Sequence, residues 1–136
     1  MCQSLYIVWN ESYNLGIPIL DEQHRSIVST INTLHHFIQN GKSESIISAI
    51  LNNLEQYTSI HFTTEEQLML KFGFPDLNKH ISHHRHLASR TAEMLDSSEG
   101  VGNHGQATLQ FLKEWWLDHI SLEDPKFVPY LMRLTA

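Results

Sequence analysis

Apolar residues recur along this chain at three- and four-residue steps in four separate stretches, and no segment of useful length alternates with a period of two. In the first stretch Ile27, Ile31, Leu34 and Ile38 mark one helical face, with Asp21 placed to cap its start and Gly41 to end it. A second helix starting near Ser43 carries Ile47, Ile50, Leu51, Leu54, Tyr57 and Leu68 and stops at the breaker Phe72-Gly73-Phe74-Pro75. Asp76 can cap a third, which presents Leu77, Leu87, Thr91 and Leu95, followed by a polar, glycine-bearing loop over 97–103. The fourth carries Leu112, Trp115 and Trp116, and Pro125 ends or redirects it. Ahead of them lies an arm from about Leu5 to Leu20, anchored by Trp9, Tyr13, Ile17 and Ile19, where Gly16 and Pro18 oppose an early helix. Four helices with short connections predict an all-α, up-down-up-down four-helix bundle. The expected layout is a single domain over 1–136, with the arm at 1–20, the bundle at about 21–124 and a short C-terminal segment at 125–136.

Composition adds limits to that pattern. A chain of 136 residues with 41% hydrophobic content suits one domain with a real core. Its apolar runs fall short of the roughly 20 residues a membrane span needs, and its start does not read as a signal peptide. A net charge of −6 argues against nucleic acid, whose phosphates call for a basic footprint. The lone Cys2 suits a reducing compartment, so the expected location is cytoplasmic. Histidine is the outlier: ten of them exceed the nine lysines and arginines together.

Extending each apolar stripe shows where those histidines fall. His24 stands three residues before Ile27, His61 seven after Leu54, Glu65 four after His61, His80 three after Leu77, His84 four after His80, and His119 three after Trp116. Every helix therefore turns at least one metal-capable side chain inward. Buried without partners, such groups would cost a few kcal/mol each, together much of a domain's typical stability of about 5–15 kcal/mol. A cation at the centre removes that cost, and the i,i+4 pairs place two ligands one turn apart on one face. Five imidazoles with one or more carboxylates exceed what a tetrahedral zinc takes. The nitrogen and oxygen mix favours iron or manganese. Neither His-Glu-x-x-His nor Glu-x-x-His is present, which argues against the zinc-protease helix and the ferritin-like diiron oxidases. His35, His36, His83, His86 and His104 lack inward positions and read as solvated or edge residues.

Four segments together resemble the hemerythrin family: Trp9 with Gly16-Ile17 and Asp21-Glu22-Gln23-His24, then His61-Phe62-Thr63-Thr64-Glu65-Glu66, then His80-Ile81-Ser82-His83-His84, and finally His119 followed five residues later by Asp124. The resemblance runs from Trp9 to about Tyr130 and implies two irons joined by an oxo or hydroxo bridge. It implies that His80, His84 and His119 hold one iron, that His24 and His61 hold the other with a position open to dioxygen, and that Glu65 and Asp124 bridge the pair. Trp9, Phe62 and Ile120 are candidates for lining the pocket, and a dry apolar surround favours reversible binding. One detail departs from the family pattern, because Asp124 precedes Pro125, which disfavours helical geometry at Asp124. Five residues from His119 is also about 140° round a regular helix, so the helix must end or distort. Asp124 is favoured as the bridge, with Glu123 beside it as a substitute.

The resemblance implies a carrier or store of dioxygen, not an enzyme, with the gas as its partner. A monomer is the expected state, and charge and apolar run lengths predict no nucleic acid and no membrane as partners. The alternative is an oxygen or redox sensor, with this chain part of a longer signalling protein whose output domain reads the centre. A peroxidase-like or nitric-oxide-reducing activity and iron storage are weaker alternatives.

Overall fold

A computed structural model describes residues 5–41, 44–96, 105–120, 126 and 128–129. A short 3-10 turn at Glu11–Tyr13 is followed by four α-helices: α1 (Pro18–Gln39), α2 (Glu44–Phe72), α3 (Leu77–Asp96) and α4 (Gly105–Asp118). There is no strand among the described residues, and none of their helices is long and apolar enough to cross a membrane. α2 packs against both α1 and α3, and α1 also packs against α4. The predicted four-helix bundle is what forms.

Helix boundaries follow local chemistry, with one correction. α1 begins at Pro18, ahead of the expected start at Asp21. Proline suits a first helical position because its fixed φ matches the helix and the missing N–H would have had no helical partner there. Asp21 lies inside the first turn, where its carboxylate accepts from the Leu15 N–H (2.7 Å) and the Gly16 N–H (3.2 Å). It thus pins the incoming arm instead of capping the helix. α2 ends as expected at Phe72, where the Gly73 N–H donates to the Leu70 carbonyl (3.3 Å) and the Phe74 N–H to that of Met69 (2.9 Å). This Schellman closure needs a left-handed residue between the two, and Gly73 supplies it with φ 71°. α3 starts directly after Asp76, as expected, and the 97–103 loop lies outside the described residues.

Burial refines the stripes. On α1, Ile27, Ile31 and Leu34 are buried, and on α2 Ile47, Leu51 and Leu54 are too. Tyr57 is not: it is 45% exposed, and Thr58 takes the inward place at 4%. Four residues on from Leu54 stays on its face, whereas three on lies to the other side of it. Likewise Met69 is fully buried while Leu68 is only half-buried. In the arm, Trp9, Tyr13 and Ile17 are half-buried as anchors, but Ile19 is 50% exposed because it already belongs to the outer face of α1. Among the described residues ahead of α1, Ile7 is the deepest, at 2%. The side chain of Leu95 lies outside the described residues.

The apolar core has two parts. The larger joins Ile27, Ile31 and Leu34 to Leu51, Leu54, Phe62, Leu87, Leu109, Leu112, Trp116 and Ile120, while the smaller is Leu20, Met69 and Phe74. Each large side chain buried this way contributes about 1.5–3 kcal/mol. Along α1 the residue between the two parts is His24, and along α2 it is Glu65; α3 carries His80 and His84 between Leu77 and Leu87. The gap in the apolar core is thus filled by the polar residues that share its face.

The arm docks on α1 through Asn32, whose Oδ1 accepts from the Ile7 N–H (2.7 Å) and whose Nδ2 donates to the Ile7 carbonyl (2.9 Å). Arg25 adds a hydrogen bond to Asn14 Oδ1 (2.7 Å) and lies over the Trp9 ring at 5.2 Å. Replacing Asn32 by Ala is expected to cost about 1–2 kcal/mol and to expose the arm to limited proteolysis while the helical circular dichroism stays intact. A cleavage rate equal to wild type would show that Ile7 burial alone holds the arm.

Candidate metal centre

Six of the seven side chains singled out in the sequence converge between the two parts of the core. His24, His61, Glu65, His80, His84 and His119 are all at most 4% exposed. α1 supplies His24, α2 supplies His61 and Glu65 one turn apart, α3 supplies His80 and His84 one turn apart, and His119 follows the end of α4. There the helix widens to a π-turn at His119–Ile120, so a distortion beyond Asp118 does occur. Asp124, together with Glu123 and Pro125, lies outside the described residues, as does His104.

Glu65 is the hub. Its Oε1 contacts His61 Nε2, lies 2.8 Å from His119 Nε2 and 3.7 Å from His24 Nε2. Its Oε2 faces α3, 3.8 Å from His84 Nε2. The imidazoles also meet each other: His24 Nε2 and His61 Nε2 are 2.9 Å apart, and His119 Nε2 is 3.4 Å from His61 Nε2. One ligand atom from each of His24, His61, Glu65 and His119 falls within 4.8 Å of the others. His84 joins from the side, its ring 5.4 Å from that of His119, and His80 stands 5.7 Å beyond it. His119 therefore touches both the His24/His61 set and the His84/His80 set.

These residues fit a metal. Glu65 Oε2 and both ring nitrogens of His84 are buried and have no hydrogen-bond partner. In a native interior such atoms call for an unseen partner, and lone pairs converging from four helices call for a cation. The nitrogen-rich donor set with a carboxylate suits a transition metal.

Aromatic side chains close the site. The Phe62 ring stacks on His84 at 3.9 Å with a 3° interplanar angle, and Trp115 stacks on His119 at 4.8 Å. Phe62 and Ile120 are buried, while Trp9 packs edge-on to Tyr13 in the groove between the arm and α1. His83 and His86 are exposed, as is His36, and His35 is half-buried against Tyr6, so these four take the edge or surface places expected of them. Sequence reasoning did not single out Gln23, whose Oε1 lies 2.8 Å from His61 Nδ1. Nor did it give Trp115 more than a packing role. Glu66 is half-buried, with Oε1 3.6 Å from His84 Nδ1.

The same geometry matches proteins already known. The family profile of the hemerythrin HHE cation binding domain matches residues 15–131. The chain belongs to the hemerythrin family. It is 32% identical over 123 residues to a bacteriohemerythrin of Pseudomonas paraeruginosa, covering 90% of this chain and 80% of that one. A bacteriohemerythrin of Stenotrophomonas maltophilia is 28% identical over 121 residues, covering 89% and 78%. A crystal structure of wild-type hemerythrin superposes with a TM-score of 0.81 at 27% identity, covering 93% of this chain and 98% of that one. The resemblance seen in the four motifs thus extends to the whole fold.

Electrostatics at this hemerythrin-type site favour bare lone pairs. Burial lowers the His61 pKa despite the opposing pull of Glu65, and burial lowers that of His84 to about 3, again against Glu65. For Glu65, burial pushes upward, but His119 and His61 beside it outweigh burial and hold the carboxyl well below its usual value. At neutral pH the site therefore presents a carboxylate, with His61 and His84 neutral, the forms that bind metal. In metal-free protein the unfolded chain takes up histidine protons below about pH 6.5 that the folded chain refuses, so stability rises with pH through this range. The urea midpoint of chelator-stripped protein is expected to be level above about pH 6.5 and to fall steadily towards pH 4, with Glu65 adding to the loss at the acid end. A midpoint unchanged from pH 7.5 to about 5 would mean that these histidines protonate freely in the fold.

Proposed function

We propose that this protein binds dioxygen reversibly, as a carrier or store, at a non-haem diiron centre. In this reading His80, His84 and His119 would hold one iron and His24 and His61 the other, which keeps a position for the gas. Glu65 and Asp124 would bridge them, together with an oxo or hydroxo group. The observation that carries the reading is the division of Glu65: Oε1 faces His24, His61 and His119, and Oε2 faces His84. A carboxylate whose two oxygens address different histidines has the arrangement a bridge requires. The two irons, when bound, supply the two electrons with which dioxygen is held.

The chain's own residues do the rest. Each helix contributes a ligand, so the donor atoms are fixed by packing before any metal arrives. Phe62, Ile120, Trp115 and Trp116 keep bulk water from the centre, and water exclusion protects bound gas from proton-assisted loss. Because the gas leaves unchanged, the protein in this reading is not an enzyme. The likeness to the two bacteriohemerythrins supports this reading.

Anaerobic ferrous protein titrated with dioxygen is expected to develop a charge-transfer spectrum that disappears when the gas is removed. Direct conversion to a stable diferric spectrum would exclude a carrier and favour the sensor. Separately, Glu65→Ala is expected to retain at most one iron per chain by metal analysis, since both positions share that carboxylate. Full diiron occupancy in this variant would overturn the bridge.

A further inference from the structure

The outer nitrogen of His61 is controlled by a directed chain of hydrogen bonds that the metal reading does not require in advance. The Thr64 hydroxyl donates to the Ile60 carbonyl (2.9 Å), so its single proton is committed along α2. Thr64 Oγ1 can then only accept, and Gln23 Nε2, arriving from α1, donates to it (3.1 Å). This orients the amide. Turned over, the Gln23 carbonyl oxygen would face a hydroxyl oxygen with no proton left to offer. The other end of the amide, Oε1, therefore faces His61 Nδ1 at 2.8 Å, and a carbonyl oxygen accepts only. His61 Nδ1 must carry the proton, which leaves Nε2 with a bare lone pair.

That lone pair points at Glu65 Oε1, a carboxylate oxygen that can only accept, and lies 2.9 Å from His24 Nε2. Two acceptors that face each other, His61 Nε2 and Glu65 Oε1, need a proton or a metal cation between them.

We infer that Gln23 and Thr64 are positioning residues that lock His61 in the Nδ1–H tautomer and so commit its Nε2 to the metal. The inference rests on the diiron reading above and deepens it. The lock also joins α1 to α2 beside the proposed two-histidine position, so His24 and the support for His61 come from adjacent residues of one helix. It acts through the tautomer and orientation of His61, and Gln23 itself touches no metal.

The test compares iron-loaded wild type with Gln23→Leu, Gln23→Glu, Gln23→Lys and Thr64→Val, measuring iron per chain and the rate of iron release to a ferrous chelator. Thermal melting of each variant verifies the fold. Gln23→Leu is expected to release iron from one of the two positions about 10–100-fold faster. Gln23→Glu is expected to restore slow release, because a carboxylate accepts the same proton. Gln23→Lys, which can only donate, is expected to be at least as leaky as Gln23→Leu. Thr64→Val keeps the shape and frees the amide to turn, so it should shift release the same way by less. Equal release from wild type and Gln23→Leu, or a Gln23→Glu as leaky as Gln23→Leu, overturns the lock alone. A wild-type protein that takes up no iron overturns the metal centre and the lock with it.

Discussion

A carboxylate with no exposed surface, held at the centre of four helices, is the constraint from which the other features follow. An isolated buried carboxylate is too costly to keep ionised, and Glu65 is held ionised by the histidines around it. Those histidines come from α1, α2, α3 and the end of α4, so each helix has only one rotation about its axis that both buries its apolar stripe and brings its donor to Glu65. Apolar packing alone would leave those rotations loosely specified, since hydrophobic burial has no direction. The polar layer supplies the direction. It also explains why the apolar core is split, with Leu20, Met69 and Phe74 on one side and the larger cluster on the other.

Much of this was legible in the sequence because helices convert spacing into geometry. The i,i+4 pairs His61/Glu65 and His80/His84 could face one point only if helical, and His24 and His119 were placed by extension of stripes set by Ile27 and Trp116. Hydropathy misleads where it favours a residue over its neighbour: it marks Tyr57 as inward although that phase belongs to Thr58, and Ile19 as an arm anchor although Pro18 has already started the helix. Asp21 has the composition of a cap, but the backbone it serves is upstream, in a turn the pattern could not show.

Gln23 illustrates a different limit. Periodicity identifies residues that point into the core, and Gln23 stands one step, about 100°, round the helix from His24. Its role depends on a contact 38 residues away in sequence, on another helix, and on the direction in which an amide is turned by Thr64. No spacing rule encodes that direction. The surroundings of Glu66 and Trp115 are of the same kind, set by which neighbouring helix approaches.

The outward sides of the imidazoles also differ from one another. His61 Nδ1 meets a neutral amide, whereas His84 Nδ1 faces the Glu66 carboxylate at 3.6 Å and its ring lies flat on Phe62. At 3.6 Å the Glu66 carboxylate is not hydrogen-bonded to His84, so His84 lacks the close outer partner that His61 has, and burial opposes its protonation. The histidines of this cluster thus differ in what meets their outer nitrogens. That difference lies in residues outside the cluster, so it can vary between chains that share every one of its histidines.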